Sequence, residues 1–430
     1  MLRNSRRLAL QKPLTDQVFQ TRYFSATSSP RISVLFYGTD EFGARVLKDL
    51  IENRREPDAV VTKLAVVCPE PIFHSKKTKN NKPKVIWQAA TQGLSMRNGI
   101  PVYHMPGKEI MPIRAWITPG LDGEGTGNVK PFDIGVVASF GRFLPESIIN
   151  MHPKGIINLH PSLLPNYRGP SPIQTAILNG DTSSGITIQE LHPRIFDGGR
   201  ILAQVPYKIS PNIKFNEMAS DLAAIGGDLL IKVLKNLDYV RENSKEQDLM
   251  KETSTHSFNK RDSQISWETM TAEDIYKRHR AFYTKEPVYT FLRIKNKNHM
   301  VQLMELTKVD PSVPPLYLNY LDSPPGTIFF KRKVPYIELH CIDGSRIHAT
   351  RFKVSGKAER DTFQFNAGYR DKKKGSRFLS VGSCTKRPSP AFVYPEGYVK
   401  PVINERWAEK GLESAAKDEE AELKNNVPLL

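Results

Sequence analysis

The 430-residue sequence predicts an α/β protein in two parts, a mainly parallel sheet covered by helices and then a small β-barrel. Three observations lead there. Apolar runs of strand length alternate with helically spaced segments up to residue 238, the pattern of parallel strands joined by crossovers. A charged, serine-rich stretch without periodicity follows at 239–264 and reads as a linker. Beyond it one helical segment precedes several short β-patterned runs separated by turns, as in small barrels.

In order, an apolar strand at 32–37 leads through a Gly-Thr-Asp turn into a helix whose Phe42, Val46, Leu47 and Leu50 follow helical spacing. Further strands are expected at 60–67, 101–104, 133–139, 155–159, 185–191 and 201–207. Helices are expected at 84–96, 145–151 and 171–179, and a long one at 217–237 closes the block. The turn from Gly38 to Gly43 lacks the third glycine of a dinucleotide fingerprint, so a tight turn with close ligand approach suits it better than a nicotinamide site. In the second part a helix at 272–282 precedes strands at 289–294, 301–306, 327–330, 336–342, 347–354 and 378–381.

Composition narrows the function classes. With 39% hydrophobic and 25% charged residues the chain reads as a globular protein. No stretch nears the ~20 apolar residues of a membrane span, and no membrane partner is expected. The net charge of +17 favours a polyanionic partner. Residues 1–24 carry Arg3, Arg6, Arg7, Lys12 and Arg22 against Asp16 alone, the composition of a mitochondrial transit peptide cleaved after Phe24, with a basic arm as the alternative. Cys68, Cys341 and Cys384 form no C-x-x-C pair, which argues against a disulfide framework or a zinc site, and no metal is expected. Residues 403–430 form a charged tail with no clear apolar face.

The chemistry is concentrated in "GIINLHPSLLPNYRGPSPIQ". Asn158 and His160 stand two residues apart near a strand end, so both side chains leave from one face. At the carboxyl edge of a parallel sheet that face opens onto the ligand crevice. Pro161 and Pro165 stop the strand. Downstream, "FDGG" carries Asp197 after the strand at 185–191; if the two strands are neighbours, the carboxylate reaches His160. A carboxylate beside an imidazole fixes its orientation and favours its protonated form. No Ser or Cys nucleophile is paired with the three, which suits acyl transfer between two bound substrates better than a hydrolase triad. On spacing alone, an Asn-His pair that merely pins a loop is an equal alternative. His104, His152 and His192 read as loop or capping residues.

"NLHPSLLPNYRGPSPIQ" together with "FDGG" resembles the signature of formyltransferases that use 10-formyltetrahydrofolate. Within that family, "LFYGTDEFGARVL", "VVASFGRFLPESII" and "RDSQISWETMTAEDIYKRHRAF" resemble segments of the branch acting on methionyl-tRNA, over about residues 31–381. The resemblance implies a Rossmann-like catalytic domain at 31–238, the linker at 239–264 and an OB-like tRNA-binding domain at 265–402. It places Asn158, His160 and Asp197 on the catalytic triple, and folate against Phe140, Gly141, Arg142, Phe143, Leu144, Ile195 and Phe196. Lys76, Lys77 and Lys79 fall in a loop implied to contact the tRNA acceptor arm. The basic turns at Lys331, Arg332 and Lys333 and at Lys372, Lys373 and Lys374 are expected to meet phosphates. Arg168 is expected at the tRNA terminus or the folate glutamate, with a structural salt bridge as the equal alternative. The implied activity is formylation of initiator methionyl-tRNA in the mitochondrial matrix by a monomer, with 10-formyltetrahydrofolate as donor. Two departures from the pattern are the missing Arg-Gly before the paired lysines and Pro161, which is more typical of the glycinamide ribonucleotide branch. A small amine acceptor such as glycinamide ribonucleotide or an amino sugar nucleotide is the nearest alternative; a catalytically silent RNA-binding homologue is another.

Overall fold

A computed structural model describes residues 30–77, 83–105, 132–284, 286–294, 297–317, 320–369 and 378–379. The expected transit peptide, the charged tail, Lys79 and Lys372, Lys373 and Lys374 lie outside the described residues, and at Lys76 and Lys77 only the backbone is described.

The first part runs β1 (Ile32–Gly38), α1 (Glu41–Asn53), β2 (Val61–Pro69), β3 (Ile72–Lys77), β4 (Pro83–Trp87), α2 (Ala90–Arg97), β5 (Val102–Met105), β6 (Ile134–Ala138), α3 (Glu146–Ile149), β7 (Ile156–His160), α4 (Pro172–Asn179), β8 (Ser183–Glu190), β9 (Ile201–Lys208), α5 (Phe215–Lys235) and α6 (Leu237–Glu242). Its main sheet has the order β5-β2-β1-β6-β7-β8-β9. The strands from β5 to β7 are parallel, and β8 and β9 are antiparallel. β6 and β7 are buried at every position, which is why they read as unbroken apolar runs rather than alternating ones. α1 and α5 cover one face within the larger core; the other face packs Leu35, Tyr37, Phe132 and Ile148 in a second cluster. Asp40 caps α1 by accepting from Gly43 N–H, and a Cβ on Gly43 would come 2.6 Å from the Ala138 carbonyl, so this glycine serves close helix-strand packing.

Two expectations need correction. The helix read at 84–96 is instead the strand β4 followed by α2; β4 pairs antiparallel with β3 in a separate hairpin. Its residues Val85, Ile86 and Trp87 are β-favouring but exposed. The linker read at 239–264 begins with α6, and Gln247 after it is buried against the first part, whereas Gln264 at its end bridges to Tyr289 of the second.

The second part holds α7 (Ala272–Phe282), β10 (Tyr289–Ile294), β11 (Lys297–Lys308), β12 (Ile328–Phe329), β13 (Ile337–His340), β14 (Arg346–Val354), β15 (Glu359–Asp361), α8 (Thr362–Tyr369) and β16 (Phe378–Leu379). Its antiparallel sheet has the order β12-β13-β14-β11-β10-β16, with β15 on β14. Phe378 N–H donates to the Gly326 carbonyl at 2.8 Å, which ties the last strand to the segment entering β12. Trp267 is fully buried beneath the sheet and donates its indole N–H to Thr290 Oγ1 at 2.8 Å. α7 belongs to both cores: Ala272 and Ile275 pack under the antiparallel sheet, Ala281 and Phe282 into the first core. Lys214, the N-cap residue of α5, pairs with Glu305 of β11 at 3.3 Å and lies over the Tyr283 ring at 3.6 Å.

Candidate active site

The chain leaves β1 in one direction through β2 to β5 and returns to β6 on the other side, so the strand order reverses between β1 and β6. A cavity of about 290 Å³ opens there, past the carboxyl ends of β1, β6 and β7, where open α/β sheets bind ligands. Asn158, His160 and Asp197 all line it. All three are buried.

β7 brings up Asn158 and His160, and β8 lies beside it with Gln189 directly across from Asn158. The turn after β8 returns Asp197 to the pair. Its Oδ1 accepts from Asn158 Nδ2 and from Gln189 Nε2, both at 3.0 Å, and its Oδ2 accepts from Gly169 N–H at 2.9 Å. His160 Nδ1 stands 3.6 Å from Oδ2. On its other side His160 Nε2 donates to the Tyr167 carbonyl at 2.9 Å, since a carbonyl can only accept. Both ring nitrogens therefore face acceptors, and the ring plane is fixed between two loops.

Backbone strain gathers around this point. Ser139, Tyr167 and Asp197 are non-glycine residues with φ of 52, 60 and 51°, in the left-handed region. Each stands in a turn beyond a strand of the site. Tyr167 is anchored by its hydroxyl, which donates to Asp181 at 2.6 Å and accepts from Asn179 at 2.8 Å; burial pushes its phenol above the usual range.

Phe140, Gly141, Arg142, Phe143, Leu144, Ile195 and Phe196 all border the same cavity. Phe143 and Phe196 stack with ring centroids 6.5 Å apart and stay 44% and 53% exposed, leaving an apolar surface for a flat ligand. His192 caps the turn beside them, its Nδ1 accepting from the N–H groups of Arg194 and Ile195. His152 is structural: its Nδ1 donates to the Phe132 carbonyl and its Nε2 accepts from Tyr37, and burial lowers its pKa.

The other candidates lie elsewhere. Lys331, Arg332 and Lys333 form an exposed turn between β12 and β13. Arg168 is only 4% exposed and cannot reach a tRNA: it donates to Gln247 Oε1 at 2.7 and 3.1 Å and to Glu252 at 2.7 Å, the structural alternative. Among the described residues no group of three His, Cys, Asp or Glu side chains is placed to hold a metal ion. Sequence reasoning missed Gln189, Gly169 and Gln247. Gln189 had a faint signal, a polar residue between the apolar Ile188 and Leu191 of "GITIQEL" at the end of a strand.

Comparison with known proteins matches a formyl transferase model over residues 30–234 and a formyl transferase C-terminal domain model over residues 258–370. The chain is 32% identical over 320 residues to the mitochondrial methionyl-tRNA formyltransferase of Homo sapiens, covering 73% of this chain and 72% of that one. It is 32% identical over 341 residues to the corresponding enzyme of Rattus norvegicus, covering 79% of each. A solved N-formyltransferase from Helicobacter canadensis, in complex with folinic acid and dTDP-3-aminofucose, matches with a TM-score of 0.46 at 19% identity over 74% of this chain and 98% of that one.

Proposed function

This chain belongs to the methionyl-tRNA formyltransferase family, and from that premise we propose that it transfers the formyl group of 10-formyltetrahydrofolate to the α-amino group of initiator methionyl-tRNA in the mitochondrial matrix. The observation that carries the proposal is the convergence of Asn158, His160 and Asp197 on one cavity at the strand-order reversal. The second amide hydrogen of Asn158, beyond the one given to Asp197, and the Nδ1–H of His160, which stands 3.6 Å from Asp197 Oδ2 while Nε2–H is held by the Tyr167 carbonyl, are the donors for the oxyanion that develops as the amine attacks the formyl carbon. Asp197 keeps both donors aimed. As the new C–N bond forms and the bond to folate N10 breaks, the amine gives up a proton and N10 gains one; Asp197 and His160 are the titratable groups beside that exchange.

The residues present fit a folate. Phe143, Phe196, Ile195 and Leu144 give an apolar wall, and the Phe140 to Leu144 loop offers main-chain polar groups. The tRNA is held by the basic segment carrying Lys76, Lys77 and Lys79, by the turn at Lys331 to Lys333 and by the basic cluster Lys372 to Lys374, one tRNA to a monomer.

The test is label transfer from radiolabelled 10-formyltetrahydrofolate to methionyl-tRNA by the purified full chain. His160→Ala abolishes transfer, and a Lys76→Ala, Lys77→Ala double variant raises KM for tRNA and flattens its salt dependence. Label entering a small amine but not charged tRNA refutes the acceptor, and no transfer to any acceptor refutes the activity.

A further inference from the structure

Gln247 lies between the two parts of the chain, yet it is only 8% exposed and its amide orientation is dictated by its neighbours. Its Oε1 accepts from Arg168 Nε and Nη2, and a guanidinium only donates. Its Nε2 donates to the carbonyls of Asp197 and Gly199, both at 2.8 Å, with Gln189 Oε1 at 3.1 Å. Gln189 in turn donates to the Asp197 carboxylate. One side chain thus meets the catalytic turn twice, through its main chain and through Gln189.

Arg168 completes the loop. Its N–H donates to the Thr253 carbonyl at 2.9 Å, its carbonyl accepts from Thr255 N–H at 2.6 Å, and the next residue, Gly169, donates to Asp197 Oδ2. Asp197 sits in left-handed backbone that costs about 1–3 kcal/mol, and such a turn persists only where its surroundings over-determine it. We infer that Gln247, gripped by Arg168, is a positioning residue for Asp197, so that the inter-domain segment sets the aim of the catalytic carboxylate. The inference rests on the formyl-transfer reading.

Gln247→Glu in the full chain tests it. The glutamate keeps the acceptor for Arg168 but loses the donor to the Asp197 and Gly199 carbonyls. Its kcat for formylation falls by about 10²-fold, the scale of a small misplacement of a reacting group, with KM for both substrates near wild type. In protein labelled with 15N-histidine, the His160 ring signal, identified by its loss in His160→Ala, moves in Gln247→Glu. An unmoved signal overturns the inference, whether kcat is unchanged or falls along with the melting temperature. If wild type itself transfers no formyl group, the functional reading fails while the ring signal still decides the positioning.

Discussion

Asp197→Asn replaces one oxygen by a donating amide in a site built from donors. Oδ1 serves Asn158 and Gln189, whereas Oδ2 serves only Gly169 N–H and faces His160. The asparagine oxygen therefore keeps the Oδ1 place, and its NH2 points at Gly169 and His160. Gly169 N–H loses its acceptor, and an unpaired buried donor costs about 1–3 kcal/mol. The NH2 can be accepted only by a bare Nδ1, which fixes the proton of His160 on Nε2, already committed to the Tyr167 carbonyl at 2.9 Å. In a hydrolase triad the matching error of tautomer lowers kcat by about 10⁴. In the proposed mechanism His160 is one of two oxyanion donors, and losing one such donor costs about 10²–10³ in kcat. The expected result in single-turnover formylation is a loss of that size with KM for tRNA unchanged, and a urea midpoint lowered by the equivalent of about 1–3 kcal/mol. A variant as fast as wild type would refute the role of Asp197 in aiming His160, and a more stable one would refute the donor count.

Three further outcomes are expected. Burial against α5 pushes the Asp49 carboxyl from 3.8 up to about 6 against the opposing pull of Arg45. The folded state then binds the proton more tightly than the unfolded chain, so stability falls as pH rises from about 4 to 6; Asp49→Asn removes that slope and gains about 1–2 kcal/mol at pH 7, discounted for solvent, as read from urea midpoints across the range. A Cβ on Gly199 would lie 1.7 Å from the Glu190 carbonyl, so Gly199→Ala must shift the turn that carries Asp197 and should lower formylation by at least about 10²-fold. Replacing the exposed Lys331, Arg332 and Lys333 by alanine leaves the melting temperature unchanged and lowers the slope of log affinity for tRNA against log salt by about one for each phosphate that is no longer neutralised.

The parallel strands were legible because they are covered on both faces, so that "IGVVA" and "IINLH" stand out as apolar runs. The same burial made Asn158 and His160 conspicuous, two polar residues in a strand with no solvent to serve. The stretch at 84–96 was misread because a short apolar run fits a strand or a helix equally, and the exposed β3-β4 hairpin gives no burial pattern to decide. Arg168 looked like a ligand-facing loop residue because its partner Glu252 is 84 residues away in sequence. Gln247 had no signal at all: its donors go to main-chain carbonyls, which any sequence supplies.

The groups of the candidate site divide by the rigidity of what carries them. Asn158 and His160 stand on a strand buried at all five positions, so their main chain is held without further support and only their side chains rely on Asp197 and the Tyr167 carbonyl. Asp197 and Tyr167 stand on strained turns, and strain of about 1–3 kcal/mol per residue has to be offset nearby. Tyr167 N–H finds Thr253 Oγ1 at 2.8 Å, and the Asp197 carbonyl finds Gln247. Both anchors come from beyond α6, after the sheet is complete. A first part ending at residue 238 would keep the strand that carries Asn158 and His160 but release the turn that carries Asp197, so the structural unit that holds the candidate site extends through Thr255 into the segment that leads to the second part of the chain.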